Sequence, residues 1–406
     1  MNKSLIVKLI PALVLGLSLV SCNRGKVVND IKADNLFSLE YGNFDDQINL
    51  FDITSLMKIN THLAMKDGFF YISNGESKKL LEMNSYGDLL SLYYNPDFNK
   101  HPLSAQNQNE GTSTLKSIAY DFEEISLITV DDKKCLYVVD KLPVERQEQD
   151  SDSNEVLNNV ILKFDSDGNF IHYIGQQGPG GTPFPYLMNL YTTDNNELVV
   201  ICKTLSGLES FWFNESGFLK YRVPFNKKTV PNPHYSENVE TWAEIKNAVP
   251  DAHNEVLYVM VNYYRAYIDE ASKMQSGIDF VETMVYPLSI SSSAYEKPIV
   301  IPPYTQEISE GFSKITYDIP YDFLGGTDSG WFYFIISTEE GYSVQMVQEN
   351  GQRILKRNIP MDHSRHLYFD FALSDKGILS GLFAEKDKVR IMWWRTDSLL
   401  DAVIKQ

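Results

Sequence analysis

VILKFDSDGNFIHYIGQQGPGGTPF, residues Val160 to Phe184, decides the fold of this chain. Two β-rich runs flank Asp165-Ser166-Asp167-Gly168-Asn169, a cluster of turn formers, so the stretch predicts a hairpin. Its first run, Val160-Ile161-Leu162-Lys163-Phe164, does not alternate cleanly between apolar and polar residues. A glycine-rich exit, Gly178 to Gly181, then leads into Phe184.

Fainter versions of this unit recur. Asp67-Gly68-Phe69-Phe70-Tyr71-Ile72 is followed by Lys79 to Leu90, and Cys135 to Asp140 leads through an insertion into the Val160 hairpin. Leu198 to Ile201 pairs with Phe211-Trp212-Phe213, Val256 to Met260 with Glu282 to Ile290, Trp331 to Ile335 with Gln345 to Gln348, and Ile378 to Gly381 with Val389 to Trp394. Taking Tyr71, Tyr137, Val199, Tyr258, Phe332 and Leu379 as equivalent, the spacing averages about 60 residues, against roughly 40 to 50 in standard four-stranded propeller repeats. Insertions between strands account for the excess. The reading is all-β, a six-bladed β-propeller, with Asp34 to Ile59 offering an outer strand that closes the ring against the last blade.

The Val160 to Phe184 stretch resembles an NHL-type propeller repeat in its Phe164-Asp165 pair, Gly168 turn, Phe170 strand, Ile174-Gly175 step, Gly178 to Gly181 loop and Phe184-Pro185. The match covers about one blade and is weak over the other five. It implies a glycine loop that serves the crossing between blades and gives those residues no catalytic role.

At the N-terminus, Lys3 and Lys8 accompany an almost wholly apolar run from Leu5 to Val20 that ends in Leu19-Val20-Ser21-Cys22. The run is short for a bilayer span of about 20 residues, and Pro11 interrupts it, which favours a secretory signal. The last four residues match a bacterial lipobox. This resemblance implies cleavage after residue 21, acylation (palmitate among the chains) of Cys22, and a lipid-anchored, extracytoplasmic protein of the cell envelope. A lipobox joined to such a propeller resembles envelope lipoproteins of Bacteroidetes and spirochaetes. Asn23 is not the aspartate of inner-membrane retention in enterobacteria, so the outer membrane is favoured over the inner. The expected organisation is a signal peptide over 1–21, a tether over 22–33 and a single propeller domain over 34–406.

The formal charge is −18, and removal of the two lysines in residues 1–21 takes it to −20. Such a surface repels nucleic acid and anionic membranes at long range, so nucleic acid is not expected as a partner. Beyond Cys22, Cys135 and Cys202 lie in strand-like runs and read as small buried hydrophobes, with a disulfide between blades the lesser alternative.

Motifs with direct chemistry are weak. Asp165-x-Asp167-Gly168-Asn169 echoes a calcium loop but has Gln176 where the bidentate acid belongs, so it reads as a turn. Asp328-Ser329-Gly330-Trp331-Phe332 is faintly similar to the structural aspartate box of sialidases, with Gly326 in place of its serine. His363 and His366, near Asp362 and Asp370, match no zinc signature and read as a polar loop. Tyr263-Tyr264-Arg265-Ala266-Tyr267 and Trp393-Trp394-Arg395 have interface-like composition, although such aromatics in a propeller more often pack between blades. Glu145 to Glu155 reads as a mobile acidic insertion, and Gln106 to Ser113 is similarly polar.

No catalytic, cofactor-binding or metal-binding residue is assigned, and Cys22 is the one site residue. The expected function is binding of an envelope protein, glycan or other macromolecule by a tethered, non-catalytic propeller. The alternative is an enzyme or small-ligand binder acting on a carbohydrate or lactone-like substrate through the channel, which convergent His or acidic groups at one channel mouth would favour.

Overall fold

The computed structural model describes residues 30–50, 59–99, 102, 115–151, 153–236, 239–269, 271, 274–310 and 313–404. Residues 1–21, read above as a signal peptide, Cys22 and the Gln106 to Ser113 segment lie outside the described residues.

Six antiparallel sheets follow one another along the chain, each starting at its inner strand. Blade one is Thr61–Lys66, Phe69–Asn74, Lys79–Met83 and Leu89–Tyr94, extended by the parallel strand Lys116–Ala119. Blade two is Ile125–Val130, Leu136–Lys141, Asn159–Phe164 and Phe170–Gly175, with Gly178–Pro179 at its edge. Blade three is Tyr186–Thr192, Leu198–Thr204, Gly207–Phe213 and Leu219–Asn226. Blade four has the long strands Thr241–Pro250, Val256–Ile268 and Gln275–Ser289, edged by Ala294–Tyr295 and Ile299–Ile301. Blade five is Asp322–Gly326, Trp331–Thr338, Gly341–Gln348 and Ile354–Pro360. Blade six has Tyr368–Leu373, Leu379–Ala384 and Lys388–Trp394, and its outer strand is Asp34–Glu40.

That last pairing closes the ring. Asp34–Glu40 runs antiparallel to Lys388–Trp394, from Asp34 opposite Trp393 to Glu40 opposite Lys388, so the two ends of the chain share one sheet. The expected closing strand is present. Just before it, Ile31 is buried between blades five and six and its N–H donates to the Asn358 carbonyl.

Between each blade and the next lies an apolar cluster, and six such clusters complete the circle. This explains the run Val160-Ile161-Leu162. Val160, Leu162 and Phe164 pack toward blade one, while Ile161 and Ile174 pack toward blade three. A strand buried on both faces has no polar side to alternate with. The turn between its two strands is held by Asp165, whose Oδ1 accepts the Asp167 and Asn169 N–H groups at 3.0 and 2.8 Å, with Gly168 at φ +90°. In the glycine-rich exit, a Cβ on Gly175 would lie 2.3 Å from the Gly181 carbonyl oxygen, so the crossing needs glycine there.

Strand direction separates the two ends of the ring. Turns from first to second strand are short in all six blades: 67–68, 131–135, 193–197, 251–255, 327–330 and 374–378. Long connections leave from the other end. They include 41–60, 95–124, 142–158, 227–240, the projecting part of the blade-four hairpin, and the hairpin Tyr304–Glu310 with Ser313–Ile319.

Leu39 sits in the closing strand, 5% exposed, opposite Val389 and within the cluster between blades six and one. Leu39→Ala should destabilise the protein by about 2–5 kcal/mol, the usual cost of emptying a core leucine site. Urea denaturation reads this, and an unchanged midpoint would mean that the ring does not depend on its N-terminal strand.

Candidate functional site

The inner strands of all six blades surround a central channel with a cavity of about 270 Å³. That lies just under the roughly 300–1,000 Å³ of ordinary ligand pockets, so the channel has room for a small molecule and not for a macromolecule. Ala64, Leu127, Leu190, Leu324 and Leu373 line it, with polar groups near its ends. The inner strands of blades two to five each carry a register shift, which lets the innermost strands twist around the axis.

Toward the loop-bearing end, His62 of blade one faces Asp370 of blade six, with Nδ1 3.5 Å from Oδ1. The second oxygen of Asp370 accepts the Leu63 N–H at 2.8 Å, which orients the carboxylate. The imidazole is 15% and the carboxylate 23% exposed, so the pair has access to channel contents. An imidazole positioned by a carboxylate can accept or donate a proton. Farther round, the Asn189 amide donates to the Asn247 side-chain oxygen at 3.0 Å, and the Asn247 amide donates to the Tyr191 hydroxyl and the Phe323 carbonyl. This amide links blades three, four and five across the channel wall.

At the short-turn end, polar groups from all six blades form a closed circuit. Lys66 of blade one pairs with Asp132 of blade two, and with Asp375 of blade six at 2.7 Å. Burial works against the Lys66 ammonium, but hydrogen bonds to the two carboxylates outweigh it and hold its pKa above the ordinary lysine value. The Lys133 N–H donates to Asn196 Oδ1 at 3.2 Å, joining blades two and three. The Asp194 N–H donates to the Ala252 carbonyl, and His253 Nδ1 lies 2.6 Å from the Asp194 carboxylate, joining three and four. His253 Nε2 reaches the Asp328 carbonyl at 2.9 Å, joining four and five. The Asp328 N–H donates to the Asp375 carbonyl, and Lys376 pairs with the Asp328 carboxylate at 2.5 Å, joining five and six.

The acids therefore converge on a channel mouth, as a catalytic or cation site would require, yet Asp132, Asp328 and Asp375 each have a lysine partner from another blade, and Asp194 has the His253 imidazole. Among the described residues, no group of three His, Cys, Asp or Glu side chains is placed to hold a metal.

The residues singled out by sequence are scattered. His363 Nε2 lies 2.9 Å from the Thr338 and Gly341 carbonyls, Asp362 caps its own short helical turn, and His366 packs against Phe383. Of that group, only Asp370 reaches the channel. Cys135 and Cys202 are free thiols, and burial lifts the Cys135 thiol to about 11 and the Cys202 thiol well above its ordinary value. The Asp328-Ser329-Gly330 segment is a turn in which the Thr327 hydroxyl accepts the Trp331 N–H at 3.1 Å. Tyr263 and Trp394 are buried between blades, while Tyr267 at the projecting blade-four hairpin is 47% exposed. The acidic insertion in blade two carries a small hairpin, Glu148–Gln149 with Val156–Leu157, and Glu155 accepts the Leu205 N–H of blade three at 2.9 Å.

Sequence reading missed His62, Lys66 and His253. Lys66 and His253 had a signal, since the first turns align as Asp131-Asp132, Thr193-Asp194, Asp251-Ala252, Thr327-Asp328 and Ser374-Asp375, a capping residue followed in four of five by an acid. His62 had none, because its partner lies at the far end of the chain.

These geometries define the class: the chain is a six-bladed β-propeller closed by its N-terminal strand. No family model and no curated protein matches it. Among solved structures it is similar to a gluconolactonase from Xanthomonas campestris, at 11% identity and TM-score 0.40 over 90% of this chain and 98% of that one. A streptogramin B lyase has 11% identity and TM-score 0.35 over 83% and 95%. The propeller domain of the trilobed protease from Pyrococcus furiosus has 11% and 0.36 over 83% and 96%.

The His253 pKa is raised, first by its hydrogen bond to the Asp328 carbonyl and then by Asp194, against a desolvation penalty. Its stabilising contribution is therefore full below the unfolded histidine pKa of about 6.5 and is lost as pH rises through the raised folded value. The difference in melting temperature between wild type and His253→Ala should be present near about pH 5.5 and shrink near about pH 9. A difference independent of pH would remove the charge from this link.

Proposed function

We propose that this protein is an extracytoplasmic lipoprotein, anchored through Cys22, whose propeller binds an envelope protein or another macromolecule on its loop-bearing end. The observation that carries this reading is the asymmetry of the ring. Every long connection leaves from one end, whereas the short turns at the other are tied blade to blade. Variable loops on a rigid frame are where binding surfaces are usually built. The channel supports the same choice, because a partner of protein size has to meet the rim and cannot enter a cavity of about 270 Å³. The Leu19 to Cys22 lipobox supports anchoring, with the propeller as one domain behind the anchor, and the Phe164 to Pro185 pattern supports an NHL-type blade.

Crosslinking of cells that carry the lipidated protein should enrich a specific envelope component, and Cys22→Ala should lose both membrane association and that component. Retention of Cys22→Ala in the membrane fraction would sink the anchor. Efficient crosslinking with nothing enriched would sink the binding role.

The His62–Asp370 pair favours a second reading, a small-molecule enzyme or binder working in the channel. Under that reading, His62→Ala abolishes turnover or binding of a lactone or small glycan by the folded protein. A protein without either activity before the substitution leaves the pair a structural contact.

A further inference from the structure

A second cavity, about 980 Å³, opens at the loop-bearing end between blade five and the hairpin that joins it to blade four, Tyr304–Glu310 with Ser313–Ile319. On the blade side its walls are the 337–340 turn and the end of Ile354–Pro360, with Tyr342 and Ile359 buried beneath. On the hairpin side Tyr304 to Ile308 line it in unbroken succession, but from the returning strand only Ile319 does. The cavity therefore runs along the outer edge of Tyr304–Glu310.

That edge is open. Alternate residues of an antiparallel strand give their N–H and C=O groups to one neighbour, and the others turn them the opposite way. Ser313–Ile319 is the partner on one side, and among the described residues no strand takes the other. The register also sorts the side chains. Tyr304, Gln306 and Ile308 share a face with Ile319, Tyr317 and Ile315, whereas Thr305 and Glu307 share the opposite face with Asp318 and Thr316. On the apolar face, Ile308 is 41% and Tyr317 47% exposed. Two strands alone are marginal in water, and a third would extend the apolar face and pair the free backbone groups.

Charge selects the occupant. Asp30, Glu307, Glu339 and Glu340 line the cavity, and no Lys, Arg or His does. Lys314, which reaches Glu307 at 3.0 Å, stands outside it, and Glu339 and Glu340 are exposed. We propose that this groove takes an extended segment of a partner protein as a third strand, one in which branched aliphatic residues alternate with Lys or Arg. The aliphatic side chains continue the face of Ile308, and the cations on the other face meet the glutamates that line the groove. A second copy of this chain is the poorer occupant, since a formal charge of −18 repels itself. The inference rests on the reading of the loop-bearing end as a macromolecule-binding surface, and it names the chemistry of the partner.

The probe is a fluorescein-labelled peptide, Val-Lys-Val-Lys-Val-Lys-Val, which matches the seven residues of Tyr304–Glu310 in length. Fluorescence anisotropy with full-length protein in detergent, at about 0.15 M salt, reads its binding. Glu339→Lys with Glu340→Lys should weaken binding about tenfold or more, with an unchanged melting temperature because both side chains are exposed. Of the two forms of the peptide N-methylated at alternate residues, one should lose binding by a similar factor and the other keep it, because an added strand pairs along one edge and the charge is the same in both. No binding of the parent peptide, or binding that survives the charge reversal or both methylations, overturns the docking. Crosslinking of cells that carry the charge-reversed variant separates this inference from the reading beneath it. An envelope component enriched by wild type and lost from the variant supports the groove. One enriched equally by both overturns the groove and leaves the binding role standing.

Discussion

Ring closure is the constraint on which everything else depends. A circle of sheets buries both faces of every blade only when the last blade meets the first, and here the meeting is made by backbone hydrogen bonds between Asp34–Glu40 and Lys388–Trp394. Leu39 then joins Leu63, Phe70 and Ile391 in the cluster that spans the seam. Without this pairing, blade six would present an unpaired strand edge and the seam would expose apolar surface to water. The same closure brings His62 of the first blade against Asp370 of the last.

The two ends of the ring divide the work of the molecule. At one end short turns with Asp, Ser or Thr caps bring carboxylates close together, and lysines and the His253 imidazole from neighbouring blades pair with them. A carboxylate ring without those cations would carry a desolvation and repulsion cost in a partly buried mouth. Because Lys66 spans three blades and His253 another three, the circuit also resists separation of the blades. At the other end, chain length is spent on hairpins and insertions that the core does not need.

Much of the fold was legible because its cause is local. The Asp165 to Asn169 turn, the apolar runs of both Val160 and Val199, and the spacing of the units all follow from residues near one another in the chain. The lack of alternation in Val160-Ile161-Leu162 was itself informative, because burial on both sides requires it. Less was legible about the channel. His363 and His366 drew attention by proximity in sequence, yet their rings bond backbone and pack on Phe383, while His62 finds its carboxylate in a strand from the opposite end of the chain.

The sequence alone determined the strands, the turns and the count of blades, since each depends on side chains within a few positions of one another. Tertiary structure decided which groups meet: His62 with Asp370, Lys66 with Asp132 and Asp375, and His253 with Asp194 and the Asp328 carbonyl. Those meetings are set by the closing of the ring, which places residues from distant blades within a hydrogen bond of each other and leaves no trace in local pattern.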